Sequence, residues 1–220
     1  MPSAEVLSWV RTRFMPHIWC PGCGHGIIMH ALIRALVALK KEKSNTVLAS
    51  GIGSSSRMAG YINACTLHST HGRSLAFATG IKLHRPELTV VDVMGDGDCT
   101  AIGGNHFIHA CRRNIDITAI VMNNNIYGMT GGQMAPTTLL GQRATTCIGG
   151  RDPKVSGYPI RVSEMLATLA GPAYIERVAL SQPKYIMQAK AAIKKAFKNQ
   201  VDKKGFSPAR PTGACVLWTP

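Results

Sequence analysis

Three short apolar strands, each followed at once by a glycine-rich or polar loop, constrain this sequence most. They are predicted at Asn45–Ser50, Leu88–Gly95 and Asp116–Met122, and the loops after them read GIGSSSRMAG, GDGD and NNNIYGMTGGQ. Strands that alternate with helices form parallel sheets with helices on both faces. We therefore predict one α/β domain over residues 1–220, a doubly wound, mostly parallel sheet, whose loops meet at its carboxyl edge, where ligands bind.

Helical patterns and one further strand fill the rest of the chain. The pattern between Gln182 and Asn199 places Ile186, Ile193 and Phe197 at helical spacing, which predicts a surface helix. The other predicted elements are helices over Gly26–Lys41, residues 71–86, Gly103–Arg113 and Ser163–Leu169, and a strand over Ala173–Leu180.

Composition narrows the class of protein. The chain has 220 residues, of which 45% are hydrophobic and 16% charged, a balance that can bury one substantial core. No apolar run approaches the length of a membrane span, and the first residues do not resemble a secretory signal. We expect a cytoplasmic protein whose seven cysteines are reduced, because an odd count also argues against a disulfide framework.

The net charge of +14 has two interpretations. It is either a solvated, lysine-rich surface or a docking face for an acidic partner. Much of the excess lies near the carboxyl end, where Lys190, Lys194 and Lys198 form a stripe along the predicted helix. No recognisable nucleic-acid motif is present, so the sequence does not favour binding to nucleic acid.

Polar side chains follow two neighbouring strands at the point where each strand ends. Asp96 lies in GDGD, and the 26 residues from Asp98 to Asn123 separate Gly97 from Asn124 in the next loop. Each segment alone is a common turn. Together, at two strand ends, a carboxylate and a carboxamide can bind one Mg²⁺ through hard oxygen ligands, with diphosphate oxygens completing the shell.

Two cysteines close to the amino end form a CxxC motif. Cys20 and Cys23 lie in WCPGCGHG, immediately before the first long apolar run. A pair of this kind admits a metal or cluster site, a redox disulfide, or two thiols in a tight turn, and two thiolates do not complete a tetrahedral shell. The residues of the motif alone leave these alternatives open.

Five segments in order carry a resemblance to a known family. They are WCPGCGHG, SGIGSSSRMAGY, LHSTHGRSLAFATGIKLHRP, GDGD and NNNIYGMTGGQMAPT, and they lie between Trp19 and Thr137. They resemble the β subunit of the 2-oxoacid:ferredoxin oxidoreductases, most closely the 2-oxoglutarate type. The resemblance implies a thiamine diphosphate-binding fold and a separate α subunit. It also implies oxidative decarboxylation of a 2-oxoacid to acyl-CoA, with coenzyme A as acceptor of the acyl group and ferredoxin as acceptor of the electrons. Pyruvate or other 2-oxoacids are alternative substrates, and a cluster-deficient, non-catalytic subunit is an alternative role.

The resemblance also implies roles for individual residues. Arg57 would meet the distal carboxylate of 2-oxoglutarate, and His71 would contact the cofactor, although a surface cation and a structural histidine are the alternatives. The implied Mg²⁺ ligands are Asp96, Asn124 and the carbonyl of Ile126, and the implied thiamine diphosphate-binding residues are Ile52, Gly53, Ser54, Ser55, His71, Gly95, Gly97, Asp98, Gly128 and Met129.

The sequence departs from the family at its iron–sulfur ligands and lacks one catalytic group. The resemblance implies a [4Fe–4S] cluster held by Cys20, Cys23 and two further cysteines, but Ser54 occupies one of those positions. The other falls near Ala209 and Arg210, in a segment without the expected apolar strand, and the last ~15 residues are atypical. Cys65 and Cys215 are possible substitutes. The family's catalytic glutamate comes from the α subunit, and the five glutamates of this chain lie outside the motifs.

Overall fold

A six-stranded parallel sheet runs through the centre of the molecule. The computed structural model describes residues 3–212, with side chains as far as residue 210. The sheet order is β2-β1-β3-β4-β8-β7, and a separate antiparallel pair, β5 and β6, follows β4. The strands are β1 (Thr46–Ser50), β2 (Cys65–His68), β3 (Thr89–Gly95), β4 (Thr118–Met122), β5 (Ile126–Tyr127), β6 (Gln133–Met134), β7 (Glu176–Ala179) and β8 (Ser207–Thr212).

Helices cover both faces of this sheet. Alternate residues of β4 point to opposite sides, so that Ile120 packs in the core beneath α2 and α8 while Val121 packs in the core beneath α4 and α5. The doubly wound architecture is therefore confirmed. The helices are α1 (Ala4–Ser8), α2 (His25–Ala38), α3 (Met58–Tyr61), α4 (Ser74–His84), α5 (Gly104–Arg112), α6 (Pro153–Ser156), α7 (Val162–Leu166) and α8 (Pro183–Val201).

None of the helices within residues 3–212 combines the length and the apolar character that crossing a membrane requires. The longest is α8, with 19 residues. Lysines recur along the whole of that helix, which is amphipathic rather than apolar throughout.

The site is positioned by the point where the sheet reverses direction. From β1 the chain moves outward to β2 and then returns to form β3 on the other side of β1. A crevice opens at such a switch point, outside the carboxyl ends of the strands. Ser50 is in register with Val93, and Gly95 with Met122, so the loops that follow β1, β3 and β4 leave the same edge.

The sequence predicted the central strands and the long helices but not β2 or β8. The expectation that no strand forms near Phe206–Pro208 is wrong, because Ser207–Thr212 forms a strand between β4 and β7. The pairing of the backbone decides this. The facing edges of β4 and β7 carry N–H and C=O groups that need hydrogen-bond partners, whatever side chains the strand between them has. Phe206, which is fully buried in edge contact with Phe107, fixes where the strand begins. The atypical residues 213–220, with Cys215, lie outside the described part.

We expect α8 to be held by its buried aromatic residue. Phe197 is fully buried, so Phe197→Ala should lower the free energy of unfolding by about 3–5 kcal/mol through lost contacts and a cavity. Met187→Ala, on the exposed side of the same helix, should change it by less than about 0.5 kcal/mol. Urea unfolding of the purified variants measures both values, and equal losses would contradict the placement of α8.

Candidate functional site

A cleft of about 620 Å³ opens at the switch point between β1 and β3. The loops after β1, β3 and β4 form its walls, as the sequence predicted. The predicted residues that line it are Ile52, Gly53, Ser54, Ser55, His71, Gly95, Asp96, Gly97, Asp98, Asn124, Ile126, Gly128 and Met129.

Three polar groups at the floor of the cleft face one another at short range. One terminal atom of the Asn124 carboxamide lies 3.0 Å from Asp96 Oδ1 and 2.8 Å from the carbonyl oxygen of Ile126. With nitrogen in that position the amide donates a hydrogen bond to both oxygens. Adjacent ligand oxygens around octahedral Mg²⁺ lie about 3.0 Å apart, at about 2.1 Å from the ion. Asp96, Asn124 and the Ile126 carbonyl thus lie close together, and Mg²⁺ binding by these groups stays a prediction.

Asp96 is held in place by a buried hydroxyl. The Thr137 hydroxyl donates a hydrogen bond to Asp96 Oδ2, which leaves Oδ1 directed at Asn124. Asp96 is only 1% exposed, and burial raises its pKa to about 6. Burial thus disfavours the ionised form of this carboxylate despite the nearby positive charge of Arg210, and a divalent ion would stabilise that form further.

Asp98 joins three loops at the side of the cleft. Its Oδ1 accepts hydrogen bonds from the backbone N–H of Gly72 at 2.6 Å and of Ile52 at 3.4 Å. His71 Nδ1 lies 2.7 Å from the same oxygen, which is within the distance of an ion pair. The orientation of the ring does not allow a straight hydrogen bond between these two atoms. Burial raises the pKa of Asp98, against the lowering effect of these donors. Asp98 therefore fixes the positions of the cofactor loops.

The second glycine of GDGD is required by close packing. A Cβ at Gly97 would overlap the ring of Tyr127, whose hydroxyl donates a hydrogen bond to the Gly97 carbonyl at 3.2 Å. The absence of a side chain lets the loop after β4 close over the loop after β3. Tyr127 therefore packs against the loop after β3.

Arg57 does not line the cleft. It is an exposed residue in the short 3₁₀ turn Ser55–Arg57. Burial, followed by the positive charge of Arg57, lowers the pKa of His68 at the end of β2. A role in binding the substrate carboxylate remains a prediction for Arg57, whereas His71, the other predicted catalytic residue, lines the cleft.

The CxxC motif forms a corner beside the cleft. Cys20 and Cys23 line a cavity of about 560 Å³ that shares Ser54, Asn124, Gly128 and Met129 with the cofactor cleft. Trp19 Nε1 donates a hydrogen bond to the Ser54 carbonyl at 2.6 Å, which ties the cysteine turn to the loop after β1. We call Trp19–Gly24 the cysteine corner.

A [4Fe–4S] cluster does not fit the groups that the described residues supply. Across residues 3–212 no three His, Cys, Asp or Glu side chains form a group able to hold a metal ion. Ser54 offers a hydroxyl, a harder and less readily ionised ligand than a thiolate. Near the fourth position, Ala209 is fully buried in the sheet opposite Ile120. The two cysteines thus supply half of the usual thiolate shell.

Two residues contribute to the site without having been predicted. His25, which is 4% exposed, lines both the cofactor cleft and the cavity at the cysteine corner, and burial lowers its pKa. Thr137 orients Asp96. Both lie within the quoted motifs WCPGCGHG and NNNIYGMTGGQMAPT. Only the packing of these segments shows that their side chains reach the site.

Comparison with known proteins places the chain in a class. Residues 44–207 match the family described as "Thiamine pyrophosphate enzyme, C-terminal TPP binding domain", and the fold and cleft agree with that match. The chain is 52% identical over 84% of its length to the 2-oxoglutarate synthase subunit KorB of Archaeoglobus fulgidus and covers 67% of that relative. It is 46% identical over 97% of its length to KorB of Methanocaldococcus jannaschii, of which it covers 74%.

A solved structure supports the same grouping. The 2-oxoglutarate:ferredoxin oxidoreductase from Magnetococcus marinus superposes with a TM-score of 0.82 at 31% identity, and the match covers 100% of this chain and 71% of that one. The chain belongs to the β subunits of the 2-oxoacid:ferredoxin oxidoreductases, of the 2-oxoglutarate type.

Because the Asp96 carboxylate is buried, we expect the stability of the chain without divalent metal to depend on pH. Its pKa is about 6 in the folded chain against 3.8 ordinarily, so the folded state binds the proton more tightly and stability falls as pH rises from about 4 to about 6. The free energy of unfolding of Asp96→Asn should therefore be higher than that of wild type, by up to about 3 kcal/mol near pH 7.5. The difference should disappear below about pH 4. Urea unfolding in EDTA measures it, with Glu5→Gln as an exposed control; equal pH profiles for wild type and Asp96→Asn would refute the assignment.

Proposed function

We propose that this chain is the cofactor-binding β subunit of a 2-oxoglutarate:ferredoxin oxidoreductase. With an α subunit it would catalyse thiamine diphosphate- and Mg²⁺-dependent oxidative decarboxylation of 2-oxoglutarate, transferring the acyl group to coenzyme A and the electrons to ferredoxin. The observation that carries the proposal is the convergence of Asp96, Asn124 and the Ile126 carbonyl at one floor of the cleft. The names of the relatives supply the substrate and the partners.

The cleft residues would hold and orient the cofactor. Asp96, Asn124 and Ile126 would bind Mg²⁺ through oxygen, and the backbone at Gly97 and Gly128 would lie against the diphosphate, where no side chain obstructs it. Thiamine diphosphate, when bound, supplies the nucleophilic carbon and the electron sink that loss of CO₂ from a 2-oxoacid requires. The protein contributes binding, orientation and the exclusion of water.

Another subunit is needed for catalysis. Thiamine enzymes need a glutamate against the aminopyrimidine ring, but none of the five glutamates of this chain lines the described cleft. The family supplies this carboxylate from the α subunit. The chain alone would therefore bind the cofactor without completing the catalytic site.

The identity of the 2-oxoacid rests on the relatives and on Arg57. A guanidinium can bind a distal carboxylate in bidentate geometry, which pyruvate and branched-chain 2-oxoacids lack. Arg57 is exposed in this chain, and the α subunit would have to bring the substrate to it. A second candidate role, a non-catalytic cofactor-binding subunit, is favoured by the incomplete set of thiolates at the cysteine corner.

The proposed activity is tested by co-expression with a candidate α subunit. We expect the pure chain to show no 2-oxoacid oxidation and the complex to reduce methyl viologen with 2-oxoglutarate and coenzyme A. Asp96→Asn should abolish Mg²⁺-dependent binding of thiamine diphosphate, measured by calorimetry, because it removes the anionic ligand. Glu5→Gln is the matched control and should bind as wild type does.

A panel of 2-oxoacids distinguishes the alternatives. Higher kcat/KM with pyruvate or 2-oxoisovalerate than with 2-oxoglutarate would reassign the substrate. Cofactor binding without turnover on any 2-oxoacid would support the non-catalytic role. Turnover by the chain without its α subunit would contradict the incomplete site.

The cysteine corner is tested by iron content. We propose that Cys20 and Cys23 are iron ligands, as the family's motif implies, with further ligands from outside the described residues. After anaerobic reconstitution, Cys20→Ala/Cys23→Ala should hold less iron than wild type, whereas Cys65→Ala, at an exposed thiol, should be unchanged. Four irons per wild-type chain would establish a [4Fe–4S] cluster, and equal iron in wild type and the pair variant would reject the assignment.

A further inference from the structure

Two adjacent helices carry only positive charge. Helix α8 contains Lys184, Lys190, Lys194, Lys195 and Lys198, helix α2 contains Arg34, and neither contains Asp or Glu. The helices pack side by side on one face of the sheet, and burial, followed by the charges of Arg34 and Lys190, lowers the pKa of His30 on α2. The charges of the two helices therefore form one continuous surface.

The side of α8 opposite the core is exposed. Ala189, Ile193 and Phe197 of this helix are buried against the core. Met187, which is 63% exposed, and Lys194 therefore face solvent on the opposite side. Lys195 leans away, over the Tyr174 ring at 4.6 Å. We define the α2–α8 basic face as Arg34, Met187, Lys190, Lys194 and Lys198.

Little negative charge offsets this face. Lys198 pairs with Asp202 at 2.9 Å. Among residues 3–212, no salt bridge to a carboxylate within 4.0 Å involves Arg34, Lys190 or Lys194. Such a concentration of one sign produces a potential that attracts an oppositely charged protein over about 8 Å at physiological salt.

The two helices that carry the face begin at the cysteine corner. Helix α2 starts at His25, two residues after Cys23. Leu180, just before α8, packs so closely on Gly24 that a Cβ there would lie 2.7 Å from the Leu180 Cδ1. Cys23 and Leu180 also line one small cavity with Asn124 of the cofactor cleft. The amino-terminal ends of both helices thus meet beside the place where Cys20 and Cys23 adjoin the cofactor.

We propose that the α2–α8 basic face is the docking surface for a small acidic electron-carrier protein. The proposal rests on the proposed function and adds the surface and the chemistry of the partner. An apolar side chain, Met187, among long cations suits the small, weak interfaces of redox encounters, which bury less than about 1,200 Å². Charge reversal on such a surface mainly changes association and its dependence on salt.

The test uses the complex with its α subunit and two electron acceptors. One acceptor is a small acidic ferredoxin, and the other is methyl viologen, a small dication that needs no docking surface. Lys190→Glu/Lys194→Glu should raise the KM for ferredoxin about tenfold at low salt and remove most of its dependence on NaCl. The control Arg112→Glu/Lys154→Glu makes the same change of net charge away from this face and should alter that KM by less than about twofold.

The outcomes separate the docking surface from the proposed function. Equal effects of both variants on ferredoxin, or none, would overturn the docking surface while viologen reduction by wild type still supports the function. Absence of viologen reduction in wild type would instead defeat the proposed function. Protection of α2 and α8 from hydrogen exchange by the α subunit alone, or salt-sensitive binding of DNA that excludes ferredoxin, would also overturn the proposal.

Discussion

The rest of the site depends on burying the Asp96 and Asp98 carboxylates at the carboxyl edge of a parallel sheet. Burial raises the pKa of each, so both are costly for the chain to hold ionised. The structure offsets this cost with directed donors: Thr137 on Asp96, and the backbone of Gly72 and Ile52 on Asp98. These hydrogen bonds also join the loops after β1, β2 and β3, so the same contacts build the cleft and prepare it for a cation.

The two carboxylates have different tasks for the same physical reason. Asp96 keeps one oxygen directed at Asn124 and the Ile126 carbonyl, where a cation would relieve its burial. Asp98 Oδ1 accepts hydrogen bonds from backbone N–H groups and lies against His71, and so fixes the positions of the loops. Two carboxylates of one loop thus differ in their partners: Asp96 faces the Thr137 hydroxyl and the Asn124 carboxamide, and Asp98 faces the backbone of two other loops.

The cysteine corner connects this cleft to the outer surface. Ser54 lines both cavities, and the Trp19 ring N–H donates a hydrogen bond to its carbonyl. A change in the cysteine corner would therefore shift the loop after β1. On the other side, the corner leads directly into the ends of α2 and α8. The thiols therefore lie between the cofactor cleft and the amino-terminal ends of the two helices that carry the basic face.

The sequence by itself determined the central strands and the cofactor loops, because buried apolar strands and glycine loops are local signals. It also identified Asp96 and Asn124 by their spacing. The switch point came from the tertiary structure, because it depends on the pairing of β1 with the unpredicted β2. Only the tertiary structure placed β8 in the sheet, since pairing with two neighbours overrides a poor strand sequence. The same is true of Thr137 and His25, which lie within the quoted motifs but whose side chains reach the site only through the packing of those segments. The union of α2 and α8 into one basic face was likewise decided by packing, because charges far apart in sequence become neighbours only when the helices meet.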